Sequence, residues 1–156
     1  MNATPLAALA LLSAAPLAPL HACEEEAVMG AMTAHLFYKE SGRLSEDLLA
    51  RDYPFIGWNT VIGEGDAAEA ADDLAVVVRI ETVGQAYLPE QLDIWVTDEN
   101  DGELGRRRFD GLLTSDAGQL ANVLWLNDVT CAGVITLHAK FRGEEKTATL
   151  QLECGE

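Results

Sequence analysis

From residue 33 onward the chain consists of short apolar runs in which hydrophobic side chains recur at every second position, with turn-forming residues between the runs. This period of two is the strongest constraint on the fold, because successive side chains of a β-strand point to opposite faces of a sheet. It is clearest near the C-terminus. Ile135, Leu137, Ala139 and Phe141 alternate along 134–142, and Ala148, Leu150, Leu152 and Cys154 alternate along 147–154. The five residues from Arg142 to Lys146 predict the turn between them. Pairing Phe141 with Glu144 sets Leu137 opposite Ala148, Ile135 opposite Leu150 and Cys131 opposite Cys154, with both cysteines on the core-facing side of their strands. A register slipped by one residue loses that match. The pattern therefore predicts a C-terminal hairpin closed by a Cys131–Cys154 disulfide, structural in role because the chain has no C-x-x-C pair.

Five further runs complete the pattern. Residues 33–38 predict a first strand, and 74–82 (LAVVVRIET) a central strand apolar enough to be buried on both faces. Leu92, Ile94 and Val96 predict the inward face of a strand at 92–97, followed by strands at 104–113 and 120–126. Between the first two runs, 44–65 contains Pro54, Gly57, Gly63 and Gly65 and predicts a long irregular connection; 67–73 predicts a single helical turn or a loop. About seven short strands separated by turns give an all-β fold, an antiparallel β-sandwich, with the immunoglobulin-like arrangement as one form of it. The Cys–Trp–Cys order of true immunoglobulin domains is not met, since Trp125 precedes both late cysteines.

The 156 residues are 49% hydrophobic and 23% charged, enough for one domain with a single core. The formal net charge is −16, and acids begin at Glu24 and bases at Lys39, so the imbalance falls on the folded part. Such a field repels phosphate backbones and argues against nucleic acid as a partner; it attracts cations or a basic protein surface.

Before that part lies an uncharged apolar run from Pro5 to Leu20, short for a membrane span and broken by Pro16 and Pro19. It predicts a secretory signal, although no Lys or Arg precedes it. The run ends at Leu20-His21-Ala22-Cys23, which resembles the lipobox of bacterial lipoproteins. In that family a small residue precedes an invariant Cys that receives the lipid and becomes the mature N-terminus. Leu20, Ala22 and Cys23 match the pattern, and His21 departs from it. The resemblance covers residues 1–23 only. It implies lipid on Cys23, contact with a membrane through that lipid, and a place in the periplasm or outer membrane; ordinary cleavage after Ala22 and secretion is the competing outcome. The expected organisation is a signal peptide over 1–22, a short tether over 23–32 and one β-sandwich domain over 33–156.

Four constellations are candidates for chemistry. The acidic turn Asp98–Glu103 offers oxygens from Asp98, Asn100, Asp101 and Glu103 to a calcium ion, although its Gly102 falls one place early for an EF-hand; a plain hairpin tip is the competing reading. Arg106, Arg107 and Arg108 form the basic cluster of an acidic chain. A turn about Asp101-Gly102 sets Trp95 opposite Arg108, and a turn one step earlier sets Asp93 opposite Arg108 and Trp95 opposite Arg106. The aromatic loop at 53–60 presents Phe55 and Trp58, either as a binding platform or as a plug for one end of the sandwich. A second acidic stretch, 64–73, is either solvated or joined to the turn at Asp98. Catalytic residues are not expected: the histidines lack metal-ligand spacing, and neither a G-x-S-x-G elbow nor a phosphate-cradling glycine loop is present. These features predict an exported, lipid-anchored cell-envelope accessory or binding domain without enzymatic activity or cofactor. The alternatives are a calcium-stabilised extracellular module and an acidic inhibitor or partner of a basic secreted protein.

Overall fold

A computed structural model describes residues 26–53, 55–56 and 59–152. The segment expected to be an export signal, with Cys23, and also Trp58 and Cys154, lie outside the described residues. Nine strands are present among those described: β1 (Val28–Phe37), β2 (Asp73–Glu81), β3 (Tyr87–Leu88), β4 (Leu92–Asp98), β5 (Glu103–Phe109), β6 (Leu112–Leu113), β7 (Gln119–Leu126), β8 (Gly133–Phe141) and β9 (Glu144–Leu152). They form sheets in the orders β1-β2-β7, β3-β6 and β5-β4-β8-β9, with every pairing antiparallel. The seven longer strands make a two-layer sandwich. The chain crosses between layers after β2, β5 and β7, the Greek-key path of an immunoglobulin-like fold, with β5 on the β4-β8-β9 sheet.

The core is the meeting of the two inner faces. Leu74, Val76, Val78 and Ile80 of β2 face Leu92, Ile94 and Val96 of β4 and Ile135, Leu137 and Phe141 of β8, all at most 1% exposed. Each such side chain contributes about 1.5–3 kcal/mol through burial. The C-terminal hairpin has the expected register, with Phe141 opposite Glu144, Leu137 opposite Ala148 and Ile135 opposite Leu150. Its loop is tighter than the five residues expected. Only Arg142 (φ 48°) and Gly143 (φ 83°) lie between the strands, the double positive φ of a two-residue turn that matches strand twist.

Four expectations change. β1 begins at Val28 rather than Thr33, so 28–32 belongs to the sheet and not to the tether, and Met29 is 3% exposed. A bulge between Met29 and Met32 breaks the alternation there and hides it from a period-two reading. The single strand expected over 104–113 is two, because Gly111 at φ 65° turns the chain from β5 to β6, which pairs with β3. β2 is central as expected, yet its outer face is buried only near Ala75 (1% exposed), beside the edge-to-face Phe37–Trp125 pair at 5.1 Å; Arg79 and Glu81 are exposed. Cys131 lies in the turn before β8 and is exposed, not core-facing.

A sandwich has two open seams where edge strands of opposite sheets meet, here β5 against β7 and β1 against β9. A cation from one sheet closes each by donating to backbone carbonyls of the other. Arg107 of β5 donates to the Val123 carbonyl of β7 at 3.0 Å. Lys146 of β9 donates to the Met29 and Gly30 carbonyls of β1, at 2.5 and 2.9 Å, at the bulge. Charges turned onto edges in this way also discourage pairing with other chains.

Candidate functional site

The long connection 38–72 builds a concave surface. After β1 the chain reverses through Gly42 (φ 70°), whose N–H donates to the Tyr38 carbonyl at 2.8 Å. It then runs back along the free edge of β1. Ser45 N–H donates to the Leu36 carbonyl, Leu48 N–H to the Ala34 carbonyl, and the Asp47 carboxylate accepts from Ala34 N–H at 3.0 Å. These bonds satisfy edge groups that β1 would otherwise present, and they bury Leu48.

Next, Arg51 organises the loop tip. Its guanidinium donates to Asp66 at 2.9 Å and to the Tyr53 hydroxyl at 2.8 Å, and it lies 4.6 Å from the Tyr53 ring centroid and 5.5 Å from that of Phe55. The same Asp66 oxygen accepts from Ile56 N–H. Farther on, buried Thr60 donates to the Thr130 carbonyl, and Thr130 donates to the Ala71 carbonyl, fastening the connection to the β7–β8 turn.

A groove of about 530 Å³ lies between this loop and the edge strand β9. Leu48, Leu49, Arg51, Asp52, Tyr53 and Phe55 form one wall; Val134 and Ala148–Gln151 form the other. A second hollow of about 310 Å³ lies on the other side of Leu48 and Arg51, toward Tyr38 and Arg43. Such volumes suit a small ligand or a few side chains of a partner. The described lining contains no His or Cys, so its chemistry is that of recognition: apolar walls, a half-exposed phenol and a free-standing carboxylate beside a neutralised guanidinium.

The candidates drawn from sequence separate. Phe55 is 5% exposed and packs in the core, as a plug would, and it reaches the groove only as part of one wall. Asp98 is spent on its own turn: its Oδ1 accepts from Asn100 and Gly102 N–H, both at 2.8 Å, while Asp101 at φ 62° completes the loop. Glu103 pairs with Arg106 at 2.8 Å. Among the described residues no three His, Cys, Asp or Glu side chains converge as a metal-binding group, and the stretch 64–73 does not join the turn at Asp98 in one. Asp66, Glu69 and Asp72 instead pair with Arg51, Arg43 and Lys39. The Arg43 hydrogen bond holds the Glu69 carboxyl below its usual value, aided by Ser41. The hydrogen bond to Asp72 raises Lys39 above the usual amine value.

The arginine cluster also resolves into cross-strand pairs. The register sets Asp93 opposite Arg108 and Trp95 opposite Arg106, the second of the two expected, with a shift between Val96 and Thr97. Arg106 pairs with Asp93 and lies 4.7 Å from the Trp95 ring centroid. His138 stacks on Trp95 at 4.7 Å and 2°. Arg107 covers Phe109 at 4.6 Å. The hydrogen bond that Arg106 donates to Glu103 and the Asp93 charge raise Arg106 further above its usual value, against desolvation. His35 bonds to the Ser45 carbonyl and the Thr33 hydroxyl, both at 2.9 Å, a structural use.

Sequence reasoning missed Leu48, Leu49, Arg51 and the β9 wall. The available signal was the Leu48-Leu49 pair after Ser45 and Asp47, residues that cap backbone groups, within a stretch read as irregular.

No protein-family model matches the sequence, and no curated protein is similar to it. Among solved structures, the chain is similar to a β-glucosidase from Erythrobacter marinus (11% identity, TM-score 0.44, 81% of this chain and 15% of that one). It is likewise similar to a β-glucuronidase from Bifidobacterium dentium (11%, 0.40, 81% and 18%) and a β-D-glucoside glucohydrolase from Trichoderma reesei (11%, 0.42, 85% and 19%). The chain thus spans less than a fifth of each of these proteins, and the likeness is too distant to carry an argument about function.

Proposed function

We propose that the chain is an exported, lipid-anchored accessory domain of the bacterial cell envelope that binds a partner rather than transforming a substrate. The observation that carries this reading is the use made of the 38–72 connection: a network of capping bonds shapes a segment whose described residues hold one 3₁₀ turn and an isolated bridge from Leu44 to Phe37 into a groove against β9. Loops held rigidly on a sandwich are a common place for recognition. The segment carries eight acidic residues against three basic ones, all three of the latter engaged in ion pairs, which supports a cationic partner at this end. The run Pro5–Leu20 followed by Leu20-His21-Ala22-Cys23 supports export and lipid on Cys23. The β8–β9 register, with Ile135 opposite Leu150 and Leu137 opposite Ala148, agrees with the sequence register from which the Cys131–Cys154 disulfide is read, and such a bond is in keeping with an oxidising compartment.

The test is cross-linked co-purification from envelope fractions, comparing the wild type with a Leu49→Arg, Tyr53→Ala variant. A partner held at low salt, weakened at high salt and lost from the variant agrees with the proposal. Identical captures at both salt levels and from the variant overturn it, as does turnover of an envelope substrate that vanishes when one acid of the groove is replaced.

A further inference from the structure

We infer that the lipid-anchored protein sits on the bilayer in one orientation, with Val83, Tyr87 and Leu113 against the membrane surface and the end that carries the 38–72 connection pointing away. This rests on the reading that Cys23 carries lipid. The first support is length. From Cys23 to Val28, where β1 begins, an extended chain spans at most roughly 18 Å. The lipid therefore keeps the entry end of β1 close to the headgroups, within about two Debye lengths at physiological salt.

That end is defined by topology. Val28 pairs with Glu81, the last residue of β2, so the connections 82–91, 110–118 and 142–143 gather around the point of entry. The same end displays apolar side chains to solvent. Val83 is 89% exposed, Tyr87 64% and Leu113 55%. Tyr87 and Leu113 are direct cross-strand partners in the β3–β6 pair and share one face, and Val83 borders a hollow formed with Glu26, Val28 and Glu81.

The display is built into the backbone. Thr82 and Thr114 bond hydroxyl to hydroxyl at 2.9 Å, and the Thr114 hydroxyl also accepts from Ala86 N–H at 2.8 Å. Gly118, at φ 73°, leaves no room for a Cβ, which would stand 2.0 Å from the Thr82 carbonyl oxygen. The two loops are thus locked together with these side chains facing outward. Tyrosine with neighbouring aliphatics suits the headgroup boundary, where an apolar ring and a polar tip are both accommodated.

The groove walled by Leu48–Phe55 and the end of β9 lies at the opposite end of the strands, so in this orientation it faces outward, toward a partner.

The test is hydrogen exchange by mass spectrometry on the full lipidated protein in vesicles of phosphatidylethanolamine with about a quarter phosphatidylglycerol. The reference is the Cys23→Ser protein with the same vesicles. Amides of 82–88 and 111–115 should exchange at least about threefold more slowly in the lipidated protein, with 38–72 unchanged. A lipidated variant with Val83→Ser, Tyr87→Ser and Leu113→Ser should lose that protection. Lipid found on Cys23 with no protection at these loops, or with protection at 38–72, overturns the orientation and leaves the anchoring intact. Absence of lipid from Cys23 overturns both.

Discussion

Replacing Lys146 by Met is the sharpest test of how the sandwich is closed. Met keeps most of the aliphatic stem and removes the ammonium, so packing is largely preserved while the donors are lost. In the folded protein that ammonium bridges the Met29 and Gly30 carbonyls at the β1 bulge and stands 3.6 Å from Glu144. A hydrogen bond to a charged group contributes about 1.5–3 kcal/mol when buried. The Lys146 side chain is 36% exposed, so water can replace part of what is lost. The Glu144 pair, on the surface, adds little. The expected cost of Lys146→Met is about 1.5 kcal/mol, or roughly 5 °C in Tm for a domain of this size. The assay is urea unfolding of the purified protein followed by tryptophan fluorescence, with exposed Lys140→Met as the control expected to lie within about 0.5 kcal/mol of wild type. Hydrogen exchange adds a local readout, because amides of 28–32 should open first when the seam is cut. A Lys146→Met protein as stable as the Lys140→Met control, with β1 protection unchanged, refutes the account of the seam.

Other perturbations follow from the same geometry. Asp98→Ala removes the acceptor for two turn N–H groups and should cost about 1–2 kcal/mol in urea melts; because that carboxylate serves the turn, millimolar calcium should leave the wild-type Tm unchanged. The Glu69 carboxyl, held low by Arg43, contributes stability that is complete above the ordinary carboxylate range and lost as pH falls through its depressed folded value; Arg43→Ala should move its NMR titration midpoint upward, and an unmoved midpoint would contradict the pairing. Replacing Cys131 and Cys154 together by Ser should cost about 3 kcal/mol for a loop of roughly 24 residues, seen as a lower Tm that reductant no longer changes.

The legible part of the fold was the part that obeys a period of two with both faces differentiated. The β8–β9 hairpin has its predicted register because Ile135, Leu137 and Phe141 admit one pairing with Leu150 and Leu152 on the same face. The β4–β5 register was narrowed to two by the turn chemistry of 98–102, and the shift at Val96/Thr97 selects the one with Asp93 opposite Arg108. The start of β1 was hidden because Gly30 and Ala31 carry little β signal and the bulge interrupts alternation. The groove was hidden for a different reason. Leu48 and Arg51 are far in sequence from Ala148, and they meet it only because Asp47 and Ser45 bond to the edge of β1, a long-range placement that no local pattern encodes. The acid-rich composition was visible at once, but how the acids divide between the two ends depends on which connections the topology gathers together.

The account rests on a chain that leaves the cytoplasm and is held at a membrane, and an intact mass of the protein recovered from cell envelopes tests this most directly. The predicted mass begins at Cys23, carries added acyl chains and falls short of the fully reduced chain by a pair of hydrogens. A product that retains residues 1–22, bears no lipid and contains three free thiols contradicts it.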